Sequence, residues 1–235
     1  MRRRDGVRGR LGRSIAAVLV LALGSFSAAP LASAAVRDPV APLLQSVTSF
    51  RSSPTDAGRA VLVQPDGKRL IGLVAGGDFG LYRSFAEGPR DESFGDDGWV
   101  TTDFGGDDGV NAVALDPAGG IVAAGFSGGD LAVAHYDSRG HPVRTFGDEG
   151  RVIRSVGAAE DAAYAVAVQG DGRVVVAGGS GSAMVVLRLG LDGSPDPTFG
   201  ASGVVTIPSD GPARALAAPP DGAFVVAEVE RRGST

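Results

Sequence analysis

Short apolar runs alternate with glycine-rich turns over most of the chain. A representative stretch has apolar runs at 99–104, 111–116, 121–126 and 131–137, and turns rich in Gly, Pro, Asp and Ser separate them. Glycine reaches positive φ and aspartate bonds its own backbone in such turns, so short apolar runs between them are typical of β-strands. Helical periodicity is absent beyond the N-terminal apolar segment. The pattern therefore predicts an all-β chain.

The order of runs and turns repeats with a fixed spacing. The glycine of an Asp-Gly-type turn and the glycine of a Phe-Gly pair are 28 positions apart in three units: Gly67 and Gly95, Gly119 and Gly147, Gly172 and Gly200. The segments before these turns are GRAVLVQPDG, VNAVALDPAG and AYAVAVQGDG, and a fourth copy reads ARALAAPPDG. Four antiparallel strands in a unit of about 50 residues are typical of a β-propeller blade. We expect a β-propeller-like array of about four four-stranded blades, at 46–98, 99–151, 152–203 and 204–229.

The fourth unit is incomplete in sequence. It has apolar runs near 204–207, 213–218 and 223–229 but no counterpart of the run at 131–137. An unpaired blade edge favours association with another chain. We therefore expect either an open arc of blades or a homodimer whose two chains close a ring of about eight blades.

The repeat resembles a known bacterial family. The segments QPDGKRLIGLVAGGDFGLYR and ESFGDDGWVTTDFGG resemble the delta-60 repeat, a propeller-like repeat found in tandem in exported proteins. The resemblance covers roughly residues 46–229 and implies an architecture, but no reaction. Kelch repeats have a similar period, yet they carry a tryptophan in every unit, whereas Trp99 is the single tryptophan of this chain.

The N-terminal segment has the three parts of a secretory signal peptide. Six arginines lie within the first thirteen residues, an apolar run follows at 15–23, and small residues end in Ala32-Ser33-Ala34. The apolar run is shorter than the roughly 20 residues that a membrane-spanning helix needs. We predict a Sec-type signal peptide at 1–34, a linker at 35–45, a tail at 230–235, and a secreted product with no membrane insertion after processing.

The net charge limits the possible partners, and the cysteine content limits how the fold is stabilised. The formal net charge is −5, and removal of residues 1–34, with six Arg and one Asp, changes it to −10. Repulsion from phosphates argues against nucleic acid and anionic membranes as partners. The chain has no cysteine, so no disulfide stabilises it and its stability depends on a buried core.

Two groups of residues have the composition of a catalytic or zinc site, but the residues or elements around them do not fit such a site. GFSGG at 125–129 matches the serine-hydrolase elbow with Ser127 as nucleophile, but a strand instead of a helix is expected after it. The two histidines, His135 and His141, do not have a recognised zinc spacing. His135 aligns with Arg83 and Arg188, and we expect all three at a solvent-facing strand position. No catalytic, cofactor or metal residue is therefore assigned.

Acidic turns and recurrent phenylalanines have structural interpretations. The turns GDDG at 95–98, GGDDG at 105–109 and GDEG at 147–150 offer oxygen ligands, but they lack the spacing of a known calcium loop. We expect calcium to change the free energy of unfolding by less than about 1 kcal/mol. Phe94, Phe146 and Phe199 occupy one repeat position and are expected to anchor the core between blades.

Two function classes remain open. The favoured hypothesis is an exported non-catalytic module that presents loops for binding of an unknown protein or glycan. The alternative is a propeller-type hydrolase or lyase with paired carboxylates such as Asp103 and Asp107. The departures from the repeat are mostly Ala, Gly and Val, which favours the non-catalytic hypothesis, and no cofactor is expected.

Overall fold

A computed structural model describes residues 56–157, 160–218 and 225–228. The predicted signal peptide, linker and tail lie outside these residues. The described part of the chain contains fourteen β-strands and no helix, so it contains no helix long and apolar enough to cross a membrane. In chain order they are β1 (Ala57–Val63), β2 (Arg69–Ala75), β3 (Asp78–Ser84), β4 (Trp99–Thr102), β5 (Asp108–Leu115), β6 (Ile121–Ser127), β7 (Asp130–Tyr136), β8 (Arg151–Arg154), β9 (Asp161–Val168), β10 (Val174–Ser180), β11 (Ala183–Leu189), β12 (Val204–Pro208), β13 (Ala213–Ala217) and β14 (Val225–Glu228).

The strands form three four-stranded antiparallel sheets and one two-stranded sheet. The strand orders are β1-β2-β3-β4, β5-β6-β7-β8, β9-β10-β11-β12 and β13-β14. Each sheet is a simple meander, because every strand pairs with its neighbours in sequence. The all-β, propeller-like array with an incomplete last blade is therefore confirmed.

The sheets are offset by one strand from the sequence units. The run at 99–104 was expected to open the second blade, but β4 pairs with β3, from Phe79 opposite Thr102 to Tyr82 opposite Trp99. The rings of Tyr82 and Trp99 lie 4.7 Å apart and reinforce this pairing. In the same way the run at 204–207 belongs to the third sheet, as β12. Each sequence unit thus begins with the outer strand of the preceding sheet.

Successive sheets pack face to face. In β6, Ile121 and Ala123 face a core shared with the first sheet, while Val122 and Ala124 face a core shared with the third. Both faces of this strand are buried, as its continuous apolar run predicts. The first strands of the sheets, β1, β5, β9 and β13, lie next to one another, as the inner strands of propeller blades do.

Backbone hydrogen bonds also join neighbouring sheets, at both ends of the strands. At one end, the N–H of Asp108 donates to the carbonyl of Gly77, and the N–H of Asp161 donates to the carbonyl of Gly129. At the other end, the Phe-Gly turns bond to the next sheet: Gly95 N–H to the Arg139 carbonyl, and Gly147 N–H to the Asp192 carbonyl. These bonds recur at the same repeat positions, so each sheet meets the next in the same way.

Candidate functional site

Each inner strand contains a β-bulge at the same repeat position. The pairing of the inner strand with the next strand skips one residue in every sheet: Arg59 in β1, Asn111 in β5, Tyr164 in β9 and Arg214 in β13. A bulge leaves one residue out of the ladder and re-aims its side chain, and bulges are frequent next to binding and active sites. We call these four residues the bulge row.

The side chains of the bulge row contact one another across the sheets. Nη1 of Arg59 donates to Oδ1 of Asn111 at 3.0 Å, and Nδ2 of Asn111 donates to the carbonyl of Ala163 at 2.8 Å. The guanidinium of Arg214 lies 4.1 Å from the centre of the Tyr164 ring. Contacts therefore join Arg59 to Asn111 and Tyr164 to Arg214, and Asn111 bonds to the backbone of the residue that precedes Tyr164.

Small and apolar residues flank the bulge row. The neighbours on either side are Gly58 and Ala60, Val110 and Ala112, Ala163 and Ala165, and Ala213 and Ala215. The row residues differ in charge and shape, while their neighbours hardly differ. This contrast indicates that the neighbours maintain the packing and that the row position is free to vary.

Glycine opposite the bulge allows the two strands to approach closely. A Cβ on Gly125 would lie 1.8 Å from the carbonyl oxygen of Gly109, and one on Gly178 would lie 2.1 Å from the carbonyl oxygen of Ala162. Both separations are far below van der Waals contact, so a side chain at either position would push the bulged strand away. The close approach of the strands at the bulges of the second and third sheets depends on these glycines, whereas the first sheet accommodates Leu73 at the equivalent position.

A cleft of about 490 Å³ lies along the row between the second and third sheets. Its lining includes Arg59, Asn111 and Tyr164 of the row, the aromatic ring of Phe126, and the acidic residues Asp107, Glu160 and Asp161. The guanidinium of Arg59 lies 5.4 Å from the centre of the Phe126 ring. Guanidinium, amide, phenol and carboxylate groups together offer hydrogen-bond donors, acceptors and aromatic faces to a polar ligand.

Ser127 lies outside the context that a serine nucleophile needs. It is the buried last residue of β6, and β7 begins at Asp130 after a turn of two glycines. The strand–turn–helix of a hydrolase elbow is therefore replaced by a strand–turn–strand.

The two histidines contact different carboxylates. Nε2 of His135 lies 2.8 Å from Oδ2 of Asp116, and Nδ1 of His141 lies 3.1 Å from Oδ2 of Asp137. Burial alone would raise the pKa of Asp116, but hydrogen bonds from His135 and from the Gly120 backbone lower this pKa below its ordinary value. Each histidine thus has its own structural partner.

The expectation of a solvent-facing position for Arg83, His135 and Arg188 is wrong. Their side chains are only 5%, 17% and 18% exposed. Each packs on the recurrent phenylalanine of its own unit. The guanidinium carbon lies 4.2 Å from the ring centre in the pair Arg83–Phe94 and 4.7 Å from it in the pair Arg188–Phe199. The ring centres of His135 and Phe146 lie 5.3 Å apart. The aromatic ring covers the cation or imidazole, and this removes the position from solvent.

The recurrent phenylalanines lie between sheets as expected. Phe94 is buried in the core shared by the first and second sheets, and Phe146 in the core shared by the second and third. Phe199 is half-buried in the third sheet's turn. The core-anchor interpretation is confirmed for the two buried members.

The acidic turns separate into two kinds. In the turns at 95–98 and 147–150, Asp97 pairs with Arg90 at 2.6 Å and Glu149 pairs with Arg144 at 2.8 Å. The turn at 105–109 differs, because Asp108 is fully buried and Asp107 is exposed. The carboxylates of Asp103 and Asp107, named above as a pair, belong to different surroundings: Asp103 groups with Asp78 and Asp108, and Asp107 lines the cleft.

The sequence did contain a signal for the bulge row. In the four aligned segments that precede the turns, the second letter reads Arg, Asn, Tyr and Arg, between neighbours that are almost all Gly, Ala or Val. Polar and apolar residues are expected to alternate along a half-buried strand. One variable polar residue between nearly constant small or apolar neighbours is therefore unusual. The bulge explains it, since the extra residue does not follow the alternation.

One comparison with known proteins agrees with this architecture over a short segment. A family model described as a domain of unknown function (DUF5122) beta-propeller matches residues 169–199, which include β10 and β11. One similar solved structure is a protein of unknown function from Bacteroides caccae, with 10% identity and a TM-score of 0.43. That comparison covers 74% of this chain, and this chain spans 57% of that structure. No curated protein matches the chain. Residues 169–199 are thus similar to a β-propeller domain of unknown function, and no activity is attached to this resemblance.

Proposed function

We propose that the chain is an exported, non-catalytic repeat module of the delta-60 type, which binds a protein or a glycan through the bulge row. One observation carries this proposal: four sheets place a bulge at the same inner-strand position, and the residue there varies in charge and shape between small, nearly constant neighbours. Folds of this class host many functions, so the proposal depends on the site and not on the architecture.

The chemistry of the cleft favours a polar ligand that is uncharged or carries positive charge. Arg59 supplies the one positive charge of the lining, and Asp107, Glu160 and Asp161 supply three negative charges, so negative charge dominates. Tyr164 and Phe126 supply ring faces that pack against sugar rings or apolar side chains. Mixed charge with aromatic anchors is the composition of binding sites for peptides and sugars.

Export is proposed from the sequence. The basic segment, apolar run and small residues within 1–34 support a Sec-type signal peptide and a secreted location. N-terminal sequencing of material from the culture medium tests this part. A new N-terminus at residue 35 is expected, and material that begins at Met1 in a membrane fraction would refute export.

The non-catalytic part of the proposal competes with a hydrolase or lyase. In the alternative hypothesis of a hydrolase or lyase, Asp103 and Asp107 act as an acid–base pair, which requires both carboxylates to face one substrate. Asp107 lines the cleft, while Asp103 groups with two other carboxylates. Asp107 is not among the carboxylates that meet at Asp103, and this supports binding without catalysis.

A binding survey tests the proposal. The purified chain is applied to a glycan array and to proteins of the producing cell's envelope. Binding by Asn111→Ala and Tyr164→Ala is compared with binding by Arg144→Ala, which alters an exposed turn far from the row in sequence. We expect each row variant to bind the best ligand with about tenfold lower affinity, because truncation of a contact residue costs about 1–2 kcal/mol of binding free energy.

The outcome separates three possibilities. Unchanged binding by both row variants, with native melting curves, would contradict a role for the row. A ligand that is cleaved or eliminated by the wild-type chain, as seen by mass spectrometry of the recovered ligand, would contradict the non-catalytic part. Loss of binding in Arg144→Ala alone would place the contact on the outer turns instead.

A further inference from the structure

Three carboxylates from different elements meet beside the junction of the first and second sheets. Asp78 is the first residue of β3, Asp103 follows β4, and Asp108 is the first residue of β5. One carboxylate oxygen of each lies within 4.8 Å of the others. We call these three residues the aspartate cluster.

Hydrogen bonds hold two of these carboxylates in place and leave an oxygen free on each. Oδ2 of Asp108 accepts the Phe104 N–H at 2.7 Å, and Oδ1 of Asp103 accepts the Gly105 N–H at 2.6 Å. The remaining Oδ1 of Asp108 is buried and has no hydrogen-bond partner among the described residues. A fully buried carboxylate oxygen without a partner costs free energy. Oδ1 of Asp161, the equivalent residue of the next sheet, is unpartnered in the same way, so the case for a ligand at Asp108 depends on the two further carboxylates beside it.

Positive side chains do not neutralise the cluster. Within the described part of the chain, none of its three carboxylates forms an ion pair with Lys, Arg or His, although these pairs are common elsewhere in the sheets. Nη1 of Arg151 approaches, but it donates to the backbone carbonyl of Asp103 at 2.8 Å and not to the carboxylate. Burial and the negative charges of Asp103 and Asp108 raise the pKa of Asp78.

The next junction in the repeat lacks the complete cluster. The residues equivalent to Asp78, Asp103 and Asp108 are Asp130, Ser155 and Asp161 there. One acid has been replaced by a hydroxyl, and the third sheet begins β11 with Ala183 at the position of Asp78. Among the described residues, three carboxylates therefore converge at this junction, whereas the buried aspartate recurs at the next junction, as Asp161, without the complete cluster.

We propose that the aspartate cluster binds a hard divalent cation, Ca²⁺ in preference to Mg²⁺. All available ligands are oxygens, which both ions favour. Oxygens on opposite sides of a Ca²⁺ ion are about 5 Å apart, since each lies 2.3–2.6 Å from the ion, and the cluster falls within this span. Asp103 is exposed, so waters complete the coordination, and Ca²⁺ tolerates irregular ligand sets better than the octahedral Mg²⁺ does.

The bound ion would join two connections that are distant in sequence. It links the turn between β2 and β3 to the connection between β4 and β5, where the Asp108 N–H already donates to the Gly77 carbonyl at 2.7 Å. Asp107, which lines the cleft, is the next residue before Asp108. An ion bound there would fix one wall of the cleft, and this proposal departs from the sequence-based expectations that no residue binds metal and that calcium changes the free energy of unfolding by less than about 1 kcal/mol.

Thermal unfolding of the full chain with and without calcium tests the site. With three carboxylates and one exposed ligand, a dissociation constant of about 0.1–1 mM is expected. Addition of about 5 mM CaCl₂ to chelator-treated protein should raise the wild-type Tm by about 3–5 °C. The same concentration of MgCl₂ should raise it less.

Variants distinguish the cluster from general ionic effects. Asp78→Asn removes one ligand and one repelling charge, so its Tm without calcium should equal or exceed the wild-type Tm, while its response to calcium is lost. Asp130→Asn changes the equivalent residue of the next sheet and should keep the full calcium response. Isothermal titration with CaCl₂ should give one site for wild type and Asp130→Asn, and none for Asp78→Asn.

Two results would overturn the proposal. One is a wild-type Tm and titration that do not respond to calcium up to about 10 mM, a range well above the expected dissociation constant. The other is an Asp78→Asn variant that responds as the wild type does. Neither result depends on the binding function of the row, so failure of one proposal leaves the other standing.

Discussion

Arg83 shows how single residues hold the junctions between sheets. Its guanidinium is buried, yet Nε lies 2.8 Å from Oδ2 of Asp91 and Nη1 donates to the Ser138 carbonyl of the next sheet at 2.5 Å. Its plane packs on Phe94. A buried charge is tolerated only when it is paired and hydrogen-bonded, and both conditions are met here.

Asp91 is the acidic partner in this arrangement. Burial would raise its pKa, but hydrogen bonds from Ser93 and Lys68 and the charge of Arg83 outweigh burial and lower the pKa to about 2. A folded-state pKa below the unfolded value gives stability that is present above about pH 4 and is lost as the pH falls toward 2. The carboxylate therefore stabilises the fold at neutral pH.

Asp91→Asn should reduce the free energy of unfolding at pH 7 by about 2 kcal/mol or more, because Arg83 loses its charged partner. The difference from wild type should shrink as the pH falls from 4 to 2, where the wild-type carboxyl takes up its proton. Urea unfolding at pH 7, 4 and 2.5 measures this.

The control for that experiment is Asp96→Asn, in an exposed acidic turn. It should change stability by less than about 0.5 kcal/mol at each pH, as exposed substitutions usually do. A difference between Asp91→Asn and wild type that is constant across the pH range would show that the carboxylate does not act through its ionisation.

At the scale of single elements, the bulge in β5 depends on the residue opposite it. Gly125 lies beside the skipped residue Asn111, and a Cβ there would overlap the Gly109 carbonyl. Gly125→Ala should therefore destabilise the chain by about 2–3 kcal/mol, since the strands must separate. Denaturant unfolding measures the change.

Gly170→Ala is the matched glycine variant. No atom lies within 4 Å of a Cβ at Gly170, so alanine there should be neutral or slightly stabilising, through the lower entropy of the unfolded chain. Equal stability of Gly125→Ala and Gly170→Ala would mean that β5 and β6 do not approach as closely as the bulge requires.

The strands were predictable from the sequence, but their grouping into sheets was not. The run at 121–126 became β6 and the run at 131–137 became β7 with shifts of about one residue, because apolar runs bounded by turns define strands directly. A repeat has no intrinsic starting point, and so the sequence could not show that β4 pairs backwards with β3. The bulges were missed because a skipped residue looks like an ordinary break in alternation.

At the scale of the whole array, both proposed sites consist of residues that the repeat brings together. The bulge row joins positions about 50 residues apart, and its members were visible in the aligned segments but had no assigned geometry. The aspartate cluster joins Asp78 to residues 25 and 30 positions later, and only the packing of one sheet on the next reveals it. Sequence motifs found the turns of this chain, whereas long-range packing places its candidate sites.

Site-specific photocrosslinking tests the central claim, that the bulge row is the binding surface, most directly. Benzoylphenylalanine is placed at Tyr164, within the cleft, and in a second protein at Ile153, which is 48% exposed on the outer strand β8. Both proteins are irradiated with the ligand found in the binding survey. The account predicts a covalent adduct at position 164 and none at 153. An adduct of equal yield at both positions, or at 153 alone, would contradict it.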